Sequence, residues 1–494
     1  MRNYILVIDE GTTGTRALIF DRSFKIVSVS YTEFTQYTPA ENMVEHDFDE
    51  IYDKSVDMCK KAMEKAGLTA EDIACVGVTN QRCTYGVWNK HTGKPLRRGT
   101  VWQDTRAAAL VDAADNEQYK KEFLPLTGIH TGACRINIIL KWLVDHEPEV
   151  APALNSGDYI TGTIDTWLIW KLTGGKVHAI ASSNASAAGC FDMKNNCWCE
   201  PMFTQYGIPM NILPTICDED ANYGETTVFG APIPITGAIA DQQSSLFAQN
   251  CRVPGTAKCT NGTGTFMDIN VGDEFAIPPT GLDLMSAWTL DGDRKYLMEG
   301  MLAVTGSAVQ WLRDGLGIIT SSAETETLAA SVSDTNGVYF VINLAGMTVP
   351  RYDPYSRGTI FGITRGTSKA NIVRAALEGI AFGMADIMEA IEKGMNIKMK
   401  EIKIDGGASK NNVLAQMFAD YIDCDVFRPD SAEATALGCA QIAALGAKIY
   451  GQNNLPDPLV YDRVFKPMMD PAVRAANLKN HKKALTRQEG WLKD

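Results

Sequence analysis

Short apolar runs that end in polar or glycine-rich segments recur along the whole chain. At the amino terminus, residues 5–8 and 17–20 are apolar and flank a segment of Gly, Thr and Arg, which predicts strand, turn and strand. Residues 48–66 carry apolar positions at helical spacing and predict a helix. Residues 73–79 are mostly apolar and predict a buried strand. The chain therefore begins as an α/β protein.

The same alternation continues through the rest of the sequence. Helices are predicted from Ala107 onwards and at residues 136–145, 306–313 and 371–393. Residues 159–170 form a longer apolar run, which predicts a strand that passes into a second strand.

A second strand, Gly/Thr turn and strand is predicted at residues 255–270, and it echoes the hairpin at the amino terminus. A chain in which each half begins with the same hairpin motif is expected to form two related domains that face each other across a cleft. We place these domains at residues 1–250 and 251–494.

Length and composition narrow the class of protein. A chain of 494 residues is too long for one core, and its net charge of −13 argues against a nucleic-acid partner, which would need a basic face. No apolar run of 18 residues suggests membrane insertion, and the first residues do not look like a secretion signal. Twelve scattered cysteines fit reduced thiols in the cytoplasm.

The first hairpin has the composition of a phosphate-binding loop. Gly11 and Gly14 let the backbone bend and approach a ligand closely. The loop amides and the hydroxyls of Thr12, Thr13 and Thr15 can then point at phosphate oxygens. The alternative is an ordinary glycine-rich hairpin with a surface arginine.

Charged residues lie at the ends of the predicted strands. Asp9 lies at the end of the first strand, where its carboxylate could hold a magnesium ion. The planar guanidinium of Arg16 offers a positive charge with fixed donor geometry. Asp241 ends another strand directly before a predicted helix, so its carboxylate lies at a strand-to-helix junction. The alternative for Asp241 is a helix cap, a frequent position for aspartate.

Further polar residues follow the strand at residues 73–79. Arg82 comes directly after it, and Gln103 and Asp104 lie in a polar segment beyond, which is where α/β folds place ligand contacts. The alternative is a structural network of satisfied polar groups. Near the other end of the chain, Gly406 and Gly407 would let a flat ligand such as adenine lie against the backbone.

Several other chemistries are excluded by the sequence. The segment Gly174 to Lys176 is followed by Val177, so the hydroxyl of a P-loop is missing. No Gly-x-Gly-x-x-Gly follows a strand, and no Gly-x-Ser-x-Gly nucleophile elbow is present.

Eight segments in register carry a family resemblance. From about residue 4 to residue 451, the chain is similar to the glycerol kinase branch of the FGGY carbohydrate kinase family. The segments are DEGTTGTRALIFD, TNQR with VWQDTR, GTIDTWLIWKLTGG, ADQQSSLFAQ, TNGTGTF, VQWLRD, DPYSRGTIFGITRGT and DGGASKNN. The resemblance implies an α/β fold of two actin-like, ribonuclease-H-like domains that face each other across a catalytic cleft.

The resemblance also implies an activity, which is ATP-dependent phosphorylation of a terminal hydroxyl of glycerol or a related small polyol or sugar. Residues 1–250 would carry the acceptor site and the phosphate loop, and residues 251–494 would bind the nucleotide. Asp241 would be the general base, assisted by Arg16, and Asp9 and Asp241 would lie at the magnesium ion. The implied nucleotide contacts are Thr12, Thr13, Gly14, Arg16, Thr263, Gly306, Gln310, Gly407 and Asn411.

The acceptor pocket departs from the family pattern at two positions. The implied acceptor contacts are Arg82, Cys83, Trp102, Cys134, Arg135, Asp241, Gln242 and Phe266. Cys83 stands where the family has Glu, and Cys134 stands where it has Tyr. Losing a hydrogen bond to a charged group weakens binding by about ten- to a hundredfold. The acceptor could therefore be a tetritol, a pentulose, or an acidic polyol that pairs with Arg82 or Arg135.

Two other classes of function stay open at the sequence level. One is a kinase homologue that binds a metabolite without turning it over, and the other is an actin-like assembly or chaperone ATPase. Intact Asp9, Arg82 and Asp241 argue against the first, and the polar pocket at residues 80–82 and 102–104, which an assembly ATPase would not need, argues against the second. As a member of this family, the protein is expected to be a cytoplasmic homodimer or homotetramer.

Overall fold

The computed structural model describes residues 2–430 and 433–493, and its first half is built on a six-stranded mixed sheet. The strands of this half are β1 (Tyr4–Glu10), β2 (Gly14–Phe20), β3 (Ile26–Glu33), β4 (Glu45–His46), β5 (Ile73–Asn80), β6 (Tyr85–Asn89), β7 (Gly99–Thr100), β8 (Tyr159–Thr163), β9 (Ala179–Ala181), β10 (Phe191–Asp192), β11 (Cys197–Trp198), β12 (Thr215–Cys217), β13 (Glu225–Thr226) and β14 (Ile233–Ala240). The sheet order is β13-β14-β5-β1-β2-β3.

The second half is built on a seven-stranded mixed sheet in the order β17-β18-β16-β15-β21-β22-β23. The strands of this half are β15 (Thr256–Asn261), β16 (Thr265–Gly272), β17 (Leu282–Leu290), β18 (Asp293–Leu302), β19 (Tyr339–Val341), β20 (Thr359–Phe361), β21 (Glu401–Asp405), β22 (Asp425–Pro429) and β23 (Tyr461–Phe465).

Helices cover both sheets. They are α1 (Phe48–Ala66), α2 (Ala108–Ala114), α3 (Leu124–Thr127), α4 (Ile136–His146), α5 (Val150–Asn155), α6 (Ile164–Leu172), α7 (Ser182–Ala187), α8 (Pro201–Thr204), α9 (Asp241–Ala248), α10 (Gly306–Gln310), α11 (Glu324–Ala330), α12 (Lys369–Met395), α13 (Asn412–Ile422), α14 (Ala434–Gly446) and α15 (Pro471–Gln488). Short 3-10 turns occur at Ala70–Asp72, Met210–Ile212, Gly407–Lys410 and Gln452–Asn454, and π turns occur at Tyr119–Phe123 and Trp311–Gly315.

The two sheets share one core pattern. In the first, β1, β2 and β3 pair antiparallel, and β5 and β14 extend the sheet parallel to β1. In the second, β15, β16 and β18 pair antiparallel, and β21 and β22 extend the sheet parallel to β15. The predicted hairpins at residues 4–20 and 255–270 are the first two strands of each sheet. The predicted two-part α/β fold is therefore confirmed.

Helix α1 shows how local sequence sets an element. The side chain of Asp47 accepts the backbone N–H groups of Asp49 and Glu50, and Gly67 ends the helix in the left-handed region at φ 66°. Ile51, Met58 and other apolar side chains of one face are buried against the first sheet. The helix spans the predicted residues 48–66.

The prediction of two strands at residues 159–170 is wrong in its second part. Strand β8 ends at Thr163, and α6 follows at once. Every residue of α6 except Lys171 is buried, including Trp167 and Trp170. A short helix that is buried on nearly all sides and mostly apolar gives the same sequence signal as a buried strand, so hydrophobic periodicity could not separate the two.

Helix α14 connects the halves of the molecule. It follows the second sheet's strand β22 in the chain, yet it packs on β14, β5 and β1 of the first sheet. Its glycine at position 438 lies directly on the backbone of α9, because a Cβ added there would be 1.9 Å from the carbonyl oxygen of Ser244.

Replacing Gly438 with alanine is therefore expected to destabilise the protein by at least about 2 kcal/mol, since neither backbone can move freely to relieve the overlap. Thermal unfolding should show a midpoint several degrees below wild type. Gly451→Ala is the matched control, because the nearest atom to its added Cβ is Asn454 Oδ1 at 3.5 Å. Equal midpoints for the two variants would contradict this close contact.

Glu219 is a fully buried acid where the two halves meet. Its carboxylate accepts the backbone N–H of Ser183 at 2.7 Å and that of Thr289 at 2.5 Å, and the hydroxyl of Ser182 at 3.0 Å. Burial raises the pKa of Glu219 to about 7, although these hydrogen bonds lower it in part.

Because the folded pKa lies above the unfolded value, Glu219 contributes stability that is complete below about pH 4.5 and is lost as pH rises through about 7. Glu219→Gln should lower the free energy of unfolding. We expect this loss to be smaller at pH 7.5 than at pH 4.5, by up to about 3 kcal/mol. Urea unfolding at both pH values measures this, with the exposed Glu200→Gln as control. A loss that is independent of pH would refute the assignment.

Candidate active site

The hairpin between β1 and β2 has the shape that its sequence predicts. The N–H of Gly11 donates to the carbonyl of Gly14 at 3.0 Å. Gly14 cannot carry a side chain, because a Cβ would lie 2.4 Å from the carbonyl oxygen of Thr32. Thr13 is exposed, and the hydroxyl of Thr12 accepts the indole N–H of Trp102 at 3.0 Å. The prediction for Thr15 is wrong, because its buried hydroxyl lies 3.0 Å from that of Ser55 and does not face a ligand.

Asp9 and Arg16 face each other across this hairpin. The guanidinium of Arg16 lies 2.5 Å from the carboxylate of Asp9 and 2.8 Å from that of Glu433. Burial raises the pKa of Asp9 to about 6, against the lowering effect of Arg16. Burial alone would lower the pKa of Arg16, but the two carboxylates outweigh it. Arg16 is thus a charged group held in one position.

Asp241 is the first residue of α9, directly after β14. It does not cap the helix, and its Oδ1 instead accepts the N–H of the next residue at 2.7 Å. Burial raises the pKa of Asp241 above its ordinary value, and Arg82 opposes this in part. Asp241 also raises the pKa of Asp9, so the two carboxylates lie close enough to interact.

Arg82 connects Asp241 to the second sheet. Its Nε lies 3.7 Å from Asp241 Oδ1, and its Nη2 donates to Glu299 Oε2 at 2.7 Å. Its Nη1 lies 3.5 Å from the sulfur of Met285. The sequence prediction missed Glu299, although an acid within the apolar residues of β18 was a usable signal.

Cys83 and Cys134 are brought together, as their predicted common site requires. The Cys83 thiol donates to the carbonyl of Ala187 at 3.2 Å. Interaction with the Cys134 thiol and burial raise the pKa of Cys83. Arg135 lies beside them, and it is already paired with Asp283 at 2.7 Å.

Gln242 and Phe266 complete the predicted acceptor residues. The side-chain carbonyl of Gln242 accepts a hydrogen bond from Lys258, a fully buried cation that lies 2.7 Å from Asp268. Phe266 is half-buried in β16. Lys258 and Asp268 therefore hold the Gln242 amide in place. The sequence prediction did not single out either of these charged residues.

The predicted nucleotide residues of the second half lie on neighbouring loops. Gly306 donates to the carbonyl of Gly262 at 3.0 Å, which places α10 against the turn that holds Thr263. The side chain of Asn261 donates to Ser409 at 3.0 Å and so ties this turn to the loop of Gly407.

Gln310 and Gly407 are exposed, so both are accessible to a ligand. The side chain of Asn411 caps α13 by accepting the N–H of Leu414 at 3.0 Å, and it donates to Thr325 at 3.1 Å. Its side-chain polar atoms are therefore already used within the protein.

Within the polar segment after β7, Asp104 is structural rather than part of the cleft. The carboxylate of Asp104 accepts the backbone N–H of Val44 at 2.7 Å and pairs with Arg106 at 2.8 Å, and both side chains are buried. Gln103 is exposed. The alternative of a structural network is therefore the correct one for Asp104, whereas Arg82 lies in the cleft.

Within residues 2–430 and 433–493, no three His, Cys, Asp or Glu side chains are grouped as metal ligands. Mg²⁺ needs fewer protein ligands, because it retains waters and binds phosphate oxygens, so the two carboxylates of Asp9 and Asp241 fit it. None of the helices in these residues is long and apolar enough to cross a membrane. All twelve cysteines are free thiols.

Two family profiles match most of the chain. The profile of the FGGY family of carbohydrate kinases, N-terminal domain, matches residues 4–248, and that of the C-terminal domain matches residues 257–447. The curated relatives include a glycerol kinase of Caldanaerobacter subterraneus, 40% identical over 100% of both chains. Glycerol kinase 2 of Thermotoga maritima is 41% identical over 99% of both chains.

Solved structures agree with these sequence relatives. The structure of Plasmodium falciparum glycerol kinase with ADP superposes with a TM-score of 0.93 at 31% identity, covering 99% of this chain and 98% of that one. A xylulose kinase of Lactobacillus acidophilus superposes with a TM-score of 0.87 at 20% identity over 99% of each chain, which is a likeness of fold.

Proposed function

The chain belongs to the FGGY family of carbohydrate kinases, and from this premise we propose that it transfers the terminal phosphoryl group of ATP to a terminal hydroxyl of glycerol or a related small polyol or sugar. The observation that carries the proposal is the position of Asp241, which lies 3.7 Å from Arg82, the partner of Glu299, and raises the pKa of Asp9 in the glycine-rich hairpin. The names of the full-length relatives support glycerol as one acceptor.

Asp241 acts as the general base in this proposal. Its carboxylate accepts the hydrogen bond of the attacking hydroxyl and takes its proton as the new P–O bond forms. Arg82 holds the carboxylate in place from 3.7 Å. Because burial raises the pKa of Asp241, it is a stronger base than an exposed aspartate. Trp102, Phe266 and Gln242 line the acceptor site.

The nucleotide lies between the two hairpins. Arg16 and the backbone and hydroxyls of the loop at Thr12, Thr13 and Gly14 hold the transferring phosphates. The loops at Thr263, Gly306, Gln310, Gly407 and Asn411 hold the rest of ATP. In this assignment residues 1–250 carry the acceptor site and residues 251–494 bind the nucleotide. The fold shared with an ADP-bound relative supports ATP as the donor.

Asp9 and Asp241 would hold Mg²⁺, directly or through water, and the ion would neutralise charge on the phosphates. The protein's own residues align the acceptor hydroxyl with the terminal phosphoryl group. Approach of the two halves would exclude water, which otherwise competes with the alcohol for the phosphoryl group.

We also propose a cytoplasmic homodimer or homotetramer. Light scattering on the purified protein measures the mass directly, and a monomer at working concentration would refute the assembly.

Release of ADP tests the activity. With ATP, Mg²⁺ and each of a series of polyols, we expect ADP to form at a rate that depends on the acceptor and is far slower with water alone. ADP release at the same rate with and without every polyol would indicate an ATPase and overturn the proposal.

A further inference from the structure

Three side chains beside the acceptor site form a charged cluster that the proposed mechanism does not use. Arg135 Nη2 donates to Asp283 Oδ2 at 2.7 Å. The backbone N–H and the ring Nδ1 of His130 lie 2.9 and 3.2 Å from Asp283 Oδ1. The side chains of His130, Asp283 and Arg135 are 31%, 22% and 14% exposed. All three therefore border open space, and we refer to them as the Asp283 cluster.

The register of the second sheet places this cluster next to the catalytic groups. Asp283 on β17 lies directly opposite Glu299 on β18, and side chains at such positions point to the same face about 5 Å apart. Glu299 binds Arg82, which in turn lies beside Asp241. The Asp283 cluster therefore follows Asp241, Arg82 and Glu299 in a continuous row of polar side chains.

A shared carbonyl confirms that the two sets of residues meet. The thiol of Cys83 donates to the carbonyl oxygen of Ala187 at 3.2 Å, and Arg135 Nη1 donates to the same oxygen at 3.0 Å. Cys134, next to Arg135 in the chain, is half-buried at this point. Positions 83 and 134 both carry a cysteine, which is smaller than the Glu and Tyr of the family pattern.

The charges argue against an anionic acceptor. Arg82 is compensated by Glu299 and Asp241, and Arg135 is compensated by Asp283. An acidic polyol would have to displace one of these carboxylates from its arginine and leave it unpaired, which is costly in a partly buried site. A hydroxyl group needs no such displacement.

The cluster offers matched partners to hydroxyl groups. The carboxylate of Asp283 accepts hydrogen bonds. With Nδ1–H of His130 directed at Asp283, the imidazole Nε2 is left as a second acceptor, and the guanidinium of Arg135 supplies donors. A three-carbon acceptor with its terminal hydroxyl on Asp241 and its next hydroxyl near Arg82 would leave the remaining hydrogen-bonding capacity of these groups unused.

Resting on the proposed kinase function, we infer that the preferred acceptor is a neutral polyol of four or five carbons. Its terminal hydroxyl meets Asp241, and its distal hydroxyls bind His130 and Asp283 of the cluster. The cluster is a specificity site, and it takes no part in the transfer itself.

The test compares initial rates of ADP formation with glycerol, erythritol, threitol, ribitol, arabinitol, xylitol and erythronate. We expect kcat/KM of the best neutral tetritol or pentitol to exceed that of glycerol by at least tenfold, with erythronate poorer than its parent tetritol. Preference for glycerol or for the polyol acid would overturn the inference while leaving the kinase proposal intact. ADP release with none of the acceptors would defeat the kinase proposal itself.

Substitutions in the Asp283 cluster test whether these residues set the acceptor preference. Asp283→Asn and His130→Gln should each lower kcat/KM for the best longer polyol about tenfold more than for glycerol, because a lost hydrogen bond to a charged or strongly polar group costs that much. The loss should appear mainly in KM, since the contact exists before and during transfer. Asp293→Asn, an exposed aspartate at the start of β18, is the control and should change neither acceptor. Equal losses for both acceptors in folded variants would refute the specificity role.

Discussion

Replacing Asp241 with asparagine is expected to lower kcat about a hundredfold to ten-thousandfold, which is the range that a positioned general base contributes. The amide keeps the size of the side chain and its hydrogen bond to the N–H of Gln242, but it cannot accept the proton of the attacking hydroxyl. Because the change removes an interaction made in the transition state, KM for ATP should move little. Steady-state kinetics with the best acceptor measure both quantities.

Asp470→Asn is a matched control for this substitution. Asp470 also starts a helix, where its exposed side chain caps α15, and asparagine is an equally good capping residue. Its activity should equal that of wild type. A folded Asp241→Asn enzyme that keeps wild-type kcat would show that the acceptor hydroxyl is activated elsewhere.

Replacing Arg16 with glutamine is expected to lower kcat about a thousandfold, the lower end of what a charged guanidinium at a transferring phosphoryl group supplies. Arg16 is fixed by Asp9 and Glu433 at 2.5 and 2.8 Å, so its charge is already in position before ATP binds. The loss should be accompanied by weaker ATP binding, since Arg16 contacts the phosphates in the ground state as well. Single-turnover measurements with ATP separate these two effects.

Arg16→Lys provides an internal comparison. It keeps the charge but loses the planar fork that pairs with two carboxylates, so it should recover only part of the lost rate. The exposed Arg365→Gln should have no effect. A rate of Arg16→Gln within threefold of wild type would remove Arg16 from the phosphate site.

The sequence predicted those parts of the fold that are encoded locally. The two hairpins, helix α1 and the junction at Asp241 each have a turn, cap or periodicity within a few residues, and the structure confirms these elements. Helix α6 was mistaken for a strand because every side chain except Lys171 is buried, which removes the periodicity on which the prediction depended.

Contacts between distant segments could not be predicted in this way. Glu299 and Asp283 lie more than 140 residues from the arginines that they bind, with sequence separations of 217 and 148 residues. Only the register of β17 and β18 brings them to the cleft. The same applies to Asp104, because its buried contact with the backbone of Val44, 60 residues away, makes it structural.

Transfer of the terminal phosphoryl group from ATP to the acceptor can be followed with an isotope label. The protein is incubated with Mg²⁺, ATP labelled at the γ-phosphorus and either glycerol or a tetritol, and the products are separated. We expect the label to appear in a phosphorylated polyol in equal amount to the ADP formed, and we expect Asp241→Asn to reduce this product greatly. Label recovered only in inorganic phosphate, at a rate unaffected by the polyol or by the substitution, would contradict this expectation.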